Sequence, residues 1–497
     1  MSSIFYSFEI AKKGLFASQR AIDVVGHNIA NANTVGYTRQ RLALEAINAP
    51  YGGTKFASAE KGQVGGGVDI KTVDQIRNVF LDRQYRNENT QSNEWMTEAE
   101  GLAYVESLFD ETQDTGISQS VNEFFNSLNE LSKSPASTEY RTNVVQNTLK
   151  MTETFNHYYT QLADKQAEQN DNIKVLSIQV NDISRNIAEL NTQVSRFELG
   201  GEKANDLRDK RNVLLDELSS FADIKYSETT TGAVNVTLGG KYLVEDGSNN
   251  NISVSNSVIN PLTGDADLYG LTWEDGTGEV DITSGKIKGS MDLRDGNSAS
   301  NFGIPYIIDG INKLASGLAT AVNEAHRKGY TLPINGESED NIDMFQTFKD
   351  ADGNIIPITA KNIALDSRIL GNTNYIATSS VKITNSVQNG NNENALAILD
   401  LRNQSDIPIL GDIDGFLKSK IAEIAIETSH ANNMLASQNA LTESIDYQRK
   451  SFSGVSIDEE MTNLIKFQQT YNASARMITA IDEMLDIIVN RMGMVGR

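Results

Sequence analysis

SGVSIDEEMTNLIKFQQTYNASARMITAIDEML, Ser453 to Leu485, is the stretch whose reading decides the fold. Along it and just beyond, Ile457, Leu464, Tyr471, Ile478, Leu485 and Met492 recur every seven residues, and Phe467, Ser474, Ile481 and Ile488 fall three positions after them. With no proline and no interior glycine before Gly493, this heptad spells a coiled-coil seam. Ser456 followed by Glu459 forms a capping box, and Asp458, Glu459 and Glu460 suit the positive end of a helix dipole. Such a helix runs for roughly 50 Å at 1.5 Å per residue. Its apolar stripe requires a partner.

The best candidate lies at the other end of the chain. Phe8, Leu15, Ile22 and Ile29 occupy one heptad position and Ile4, Ala11, Ser18, Val25 and Ala32 the other, with several side chains small enough for close approach. An isolated helix of this length is marginal in water and needs packing from outside itself. The N-terminal segment carries Lys12, Lys13, Arg20, Arg39 and Arg41 against Glu9 and Asp23, whereas acids outnumber bases after residue 457. Pairing of the two ends is thereby favoured weakly. The periodicity alone also allows each seam to pack separately into a bundle.

Composition narrows the function classes. A chain of 497 residues has room for about three domains. It has no cysteine, which removes disulfides, thiolate metal sites and cysteine nucleophiles. A formal charge of -23 disfavours nucleic-acid partners and attachment to an acidic membrane surface. No apolar run reaches the length of a membrane span, and MSSIFYSFEIAKKG lacks the apolar core of a secretory signal, so conventional export and membrane insertion are not expected.

Between the ends the chain changes period twice. After ANANTVGYTRQ at Ala30 to Gln40, where Asn31, Asn33 and Gly36 suit a turn, a Gly-rich, β-like stretch containing GQVGGGVDI reaches Ile76. Its glycines lack the following Gly-Lys-Ser/Thr of a phosphate cradle and read as a turn or bulge. Helices are expected over Val79 to Phe109, Ile117 to Leu131, Thr138 to Phe197 and Ala204 to Ser220. Period-two alternation follows to about Gly296, with Gly239-Gly240 as a hairpin turn. Asn301 to His326 returns to helix, Gly329 to Gly411 is irregular, and Asp412 to Phe452 is helical. The fold class is therefore α+β multidomain, with terminal helices in a coiled coil, a long helical-bundle rod domain and β-rich inserted outer domains. Residues 1–50 and 450–497 make the inner layer; 51–220, 297–328 and 412–449 the rod; 221–296 a β-rich domain; and 329–411 a second irregular or β insert.

Nothing in the pattern argues for catalysis. His27, His157, His326 and His430 are mutually distant in sequence and lack zinc spacing. FKDADGN at Phe348 to Asn354 resembles a calcium loop, but Gly353 comes too early and the terminal Glu is absent, so a β-turn is expected. No Gly-x-Ser-x-Gly elbow occurs, and the carboxylates read as a dispersed, solvated acidic surface. Catalytic, cofactor and metal sites are all expected to be absent.

GLFASQRAIDVVGHNIANANTVGYTRQ at Gly14 to Gln40 resembles the N-terminal signature of the bacterial flagellar axial proteins, the family of rod, hook and hook-associated subunits. GQVGGGVDI and NVFLDRQYR at Asn78 to Arg86 resemble the segments that follow it. ANDLRDKRNVLLDELS at Ala204 to Ser219, KIKGSMDLRDG at Lys286 to Gly296 and the closing stretch are similar to its hook-associated branch. The resemblance covers about a third of the chain, in order and at both ends, and leaves 297–412 unmatched. It implies a non-enzymatic structural subunit without cofactor, exported by the flagellar type III apparatus with the help of a chaperone. Such a subunit assembles into a ring of about eleven copies at the hook-filament junction, with hook protein below and a second junction protein above. It also implies that Leu15, Ile22, Val25 and Ile29 face Leu464, Tyr471, Ile478, Leu485 and Ile488, within a subunit or across to the next, as an assembly interface. Asn28, Asn31, Asn33, Gly36 and Tyr37 then shape the inner-layer turn. Other readings are another axial subunit (hook or second junction protein), a surface adhesin on the axial scaffold, or an enzyme inserted centrally.

Overall fold

The computed structural model describes residues 2–47, 65–109, 116–350, 352–384 and 388–491. Gly62 to Val64 of the Gly-rich stretch and Met492 of the C-terminal seam lie outside them. The chain goes out through helices and returns through helices. Helix α1 (Ser2–Ala30) is followed by the antiparallel pair β1 (Gln40–Ala46) and β2 (Val68–Gln75), then by α2 (Val79–Leu108), α3 (Ile117–Lys133), α4 (Thr138–Glu198) and α5 (Asn205–Phe221). Strands β3 (Ile224–Glu228), β4 (Val234–Leu238), β5 (Lys241–Glu245) and β6 (Ser248–Asn249) form one antiparallel sheet, and β7 (Ile252–Val258) pairs with β8 (Leu268–Trp273) in another. Helices α6 (Lys286–Asp295) and α7 (Ile304–Arg327) lead to the short pair β9 (Phe348–Lys349) and β10 (Ile355–Ile356) and the small helices α8 (Ser367–Gly371) and α9 (Glu393–Asp400). Helices α10 (Ile413–Ser453) and α11 (Ile457–Asp486) close the chain.

Helix α4 is the spine. At 61 residues it extends about 90 Å, started by Ser137, whose hydroxyl accepts from the Tyr140 N–H. Its first half buries Val144, Met151, Phe155 and Leu162 in a core shared with α3 and α7. Its second half buries Ile173, Val180 and Ile187 against α5 and the sheets. Asparagines three turns apart fasten the β segments to it. Asn181 exchanges both amide bonds with the Ile252 backbone (2.7 Å each way), and Asn191 does the same with Val234 while also reaching Asp246 O. Asn170 accepts from the Tyr269 N–H. An asparagine amide presents a donor and an acceptor side by side, as a neighbouring strand does, so these edges lose no backbone hydrogen bonds on meeting a helix.

Two regions differ from the sequence expectation. Lys286 to Asp295, read within a β-rich stretch, is helix α6, wedged against α2 and α4. Its sequence lacks an apolar period, and close approach selects Gly289, where a Cβ would lie 2.8 Å from Glu94 O. Residues 329–411, expected as a separate insert, place Met344, Phe345, Ile363, Leu365, Ile369, Ile376 and Ile398 in the same core as α3, α4 and α7. Arg141 of α4, fully buried, donates to the carbonyls of Pro135, Thr373 and Ile376 and to Thr378 Oγ1. His326 of α7 bonds the Ile342 carbonyl (2.7 Å) and accepts from the Ala377 N–H (2.9 Å). That pair of contacts fixes Nδ1 as the protonated nitrogen, and burial holds the ring well below its ordinary range, at about 4. The segment thus has few strands of its own because the bundle supplies its core. Between β9 and β10, Asp350 accepts from the backbone N–H groups of Asp352 and Asn354.

Candidate functional site

The two ends of the chain pack against each other as an antiparallel arm. Asn28 meets Glu460 at one end of the pair, and farther along an added Cβ at Gly14 would lie 3.2 Å from Ser474 Oγ. The start of α1 and the end of α11 therefore lie together at the arm's far tip. The face of α1 turned to α11 is made of small residues: Ala11, Ser18, Ala21 and Val25 are buried and Gly14 sits between them. Of the predicted interface residues only Val25 is buried, whereas Leu15, Ile22 and Ile29 are half-buried. The large side chains stand one helix step off the contact line. On α11 and the helical turn after it the partly covered positions include Leu464, Phe467, Tyr471, Ser474, Ile478, Leu485 and Ile488, and along α11 only Glu460 and Ile481 are buried. The heptad face turns inward, yet one partner helix leaves it half open. Phe5, Phe16, Met461, Ile465, Met477 and Met484 are exposed on the flanks of the same two helices.

Where the arm meets the rod, a buried polar node replaces apolar packing. Asn28 is fully satisfied: its Nδ2 donates to Gln40 O (2.9 Å) and Glu460 Oε2 (3.1 Å), and its Oδ1 accepts from Gln40 N (2.9 Å) and Tyr37 Oη (2.8 Å). Glu460, 2% exposed, takes two contacts from Arg39 on its Oε1, from Nε at 2.8 Å and Nη2 at 2.7 Å, and the Arg39 Nη1 reaches Glu459 at 2.8 Å. The Arg39 N–H donates to Ser453 O, so the chain leaving α1 is tied to the hinge between α10 and α11. On the other side Thr38 N donates to Asp209 of α5 (3.0 Å), and Gln75 donates to the same carboxylate (2.8 Å). Burial pushes Asp209 up to about 6, against the Thr38 bond and the nearby Arg77, which pull it down. Tyr37 is held far above its ordinary range by burial and by the surrounding carboxylates.

The predicted turn residues occupy different places in this node. Asn28 and Tyr37 are inside it, and Tyr37 also contacts His27 Nδ1 at 3.0 Å. Asn31 caps the end of α1 by donating to His27 O (3.0 Å), and Asn33 is exposed. Gly36 has φ +77 and stands where a Cβ would lie 2.1 Å from Val213 Cγ2 of α5, so both its conformation and its space require glycine. Sequence reasoning missed Arg39, Glu460 and Asp209 as a unit. Glu460 was visible only as a first-turn acid, and its partners lie more than 400 positions away.

A second set of carboxylates also comes together, contrary to the dispersed surface expected. Glu94 and Glu98 of α2 and Asp292 of α6 bring one oxygen each within 4.8 Å of one another. Lys288 pairs with Asp292 and Ser284 donates to Glu94, while burial and the neighbouring carboxylates push Glu98 up to about 8. A lysine and a retained proton compensate the cluster.

Comparison with known proteins agrees with the geometry of the two ends. Residues 8–38 match the family described as flagella basal body rod protein, and 451–492 that of the flagellar basal body rod FlgEFG protein C-terminal. Residues 102–345 match the flagellar hook-associated protein FlgK helical domain. The chain is 31% identical to flagellar hook-associated protein 1 of Bacillus subtilis (strain 168), with all of both chains covered. It is 24% identical to the Salmonella typhimurium protein of the same name, over 97% of this chain and 98% of that one. The solved structure of the flagellar hook junction protein FlgK from Burkholderia pseudomallei has the same fold, with a TM-score of 0.60 and 14% identity over 75% of this chain and all of the other. An arm built from both chain ends, a helical rod behind it, and full-length similarity lead to one conclusion: the chain belongs to the flagellar hook-associated protein 1 family.

Proposed function

We propose that this chain is the structural adaptor joining the flagellar hook to the filament. The observation that carries this reading is the half-finished arm. Its apolar heptad faces one partner of small residues and remains partly open, and further large apolar side chains flank it. A surface of that kind is covered when identical neighbours pack side by side. In this reading Leu15, Ile22, Val25, Ile29, Leu464, Tyr471, Ile478, Leu485 and Ile488 form the assembly interface. About eleven copies close a ring, hook protein lies below, the second junction protein lies above, and the chain reaches its place by flagellar type III export with a chaperone.

The polar node gives the arm a defined departure from the rod. Arg39, Glu460 and Asn28 are fully paired, so the arm is aimed by hydrogen bonds whose geometry is directional, while its length is left to be covered by neighbours. Electron microscopy of a deletion strain tests the assignment. Complete hooks without filaments, with flagellin released to the medium, are expected. Missing hooks, or filaments that stay attached, contradict it.

A further inference from the structure

At the joint between β2, α2, α5 and the first β sheet lies a cavity of about 310 Å³. Its walls carry six cationic side chains, Arg77, Arg83, Arg86, Lys203, Arg208 and Arg211, against two carboxylates, Asp82 and Glu228. That balance is opposite to the chain as a whole, which carries -23. Both carboxylates are already engaged. Asp82 takes a bidentate pair from Arg77 (2.6 and 3.1 Å), and Glu228 pairs with Arg208 at 2.7 Å, whose other face is held by Glu198.

Of the remaining cations Lys203 pairs with Asp74 at 3.1 Å, but two buried guanidinium groups keep an unpartnered N–H. Arg211, 2% exposed, donates through Nη1 to Asn191 Oδ1 (2.9 Å) and Gly232 O (2.7 Å), makes no ion pair with a carboxylate among the described residues, and leaves Nε without a partner. Arg86, also 2% exposed, donates through Nε to Asp216 (2.7 Å) and lies over the Tyr226 ring, but its Nη1 has no partner. Tyr226 Oη and Asn205 Oδ1 are unpartnered too. Among the described residues six buried side-chain polar atoms lack a partner, and four of them belong to residues lining this one cavity. Buried guanidinium N–H groups left unmade are costly, and burial beside Arg208 lowers Arg211 to about 10, the direction expected where a counter-charge is missing.

We propose that this cavity binds a small tetrahedral oxyanion of the phosphate class, held by Arg86, Arg211 and Tyr226 and drawn in past the exposed Arg83 at the rim. Three of the orphan groups are donors, as such an ion requires, and guanidinium groups match its geometry. The fourth, Asn205 Oδ1, is an acceptor, and an ion that keeps one proton near neutral pH supplies a donor to it. The ion sits where the hairpin that follows α1, the rod and the β sheets converge, so it ties the three together by charge.

The test is equilibrium dialysis of the full-length chain against radiolabelled inorganic phosphate at fixed ionic strength set with chloride. Saturable binding of one phosphate per chain is expected, weakened about tenfold or more by Arg211→Gln. Tyr226→Phe and Arg83→Gln, which threaten the fold least, are expected to weaken binding by roughly threefold while leaving thermal unfolding in chloride unchanged. They keep the test decisive if Arg211→Gln fails to fold. No saturable phosphate binding up to about 10 mM, equal competition by acetate or chloride, or binding indifferent to all three substitutions overturns the proposal.

Discussion

The core around α3, α4 and α7 and the arm of α1 and α11 are both helical and both patterned by apolar periodicity, yet they end in different states. In the core Phe124, Phe125, Leu128, Val144, Met151 and Phe155 have no exposure at all. Along 30 residues of α11 only Glu460 and Ile481 are buried. The difference lies in the number of neighbours each helix meets within one chain. Helix α4 is wrapped by α3, α7 and the 329–411 segment, whereas among the described residues α1 is the one long helix that α11 packs along. A periodic stripe therefore indicates what a helix can bury, and the topology decides how much of it is buried in the monomer.

This contrast can be broken at several depths. The largest effect is expected in the finished core. Phe124→Ala removes a ring packed against Phe125 and Phe345 and should cost about 3–5 kcal/mol in denaturant unfolding. Because Phe345 belongs to the 329–411 side of that core, the same variant should speed proteolysis within 340–380. At the base of the arm, Glu460→Ala takes the buried acceptor from half-buried Arg39, which keeps Glu459, and one of two acceptors from buried Asn28, which keeps the Gln40 carbonyl. It should destabilise the docking of α11 by about 3 kcal/mol, read as faster amide exchange around Ser456 with the rod unaffected.

Smaller effects probe the charges and the arm's open face. Glu98 holds its proton in the folded chain up to about 8 and gives it up near 4.5 when unfolded, so its contribution to stability declines as pH rises between those values. Glu98→Gln should be neutral at pH 5 and stabilising by on the order of 1 kcal/mol at pH 8.5. His326 has the opposite sign: its neutral ring is lost from the balance as pH falls from its unfolded value of 6.5 toward about 4, and stability should drop across that window. Ile478→Asn, on the half-buried seam, should change monomer stability by less than about 1 kcal/mol and still abolish filament retention in cells. Gln469→Ala, off the seam, should leave both intact.

What the sequence made legible was what is local. Of the Ser456–Glu459 box the N-cap half is present, a 3.5 Å bond from the Glu459 N–H to Ser456 Oγ, while the Glu459 carboxylate pairs with Arg39, and the heptad of α11 does face α1. On α1 the second heptad position, Ala11, Ser18 and Val25, lies on the buried face as the pattern indicated, while at the first position the bulky Leu15, Ile22 and Ile29 are half-buried and close antiparallel contact uses their neighbours Gly14, Ala21 and Asn28. Gly14, Ala21 and Asn28 carry no apolar signal of their own, so that half of the contact line was displaced by one residue. Short apolar runs such as Asp343–Phe345 and Asn362–Leu365 have no period, and their place in the bundle depends on buried Arg141 and His326, which pattern reading could not assign. The node of Arg39, Asn28, Glu460 and Asp209 joins three distant stretches; Asn28 was expected only as a turn residue and Glu460 only as a first-turn acid, and none of the four indicates its partners by itself.

The central claim is that the arm is provisional in the single chain and completed by neighbours. Amide hydrogen exchange of the isolated monomer tests it most directly. Residues 461–486 should exchange within seconds to minutes while Val144 to Leu162 of α4 stay protected for hours or longer. Protection of α11 equal to that of α4 in the monomer would mean that the seam is already a finished core, and would contradict the account.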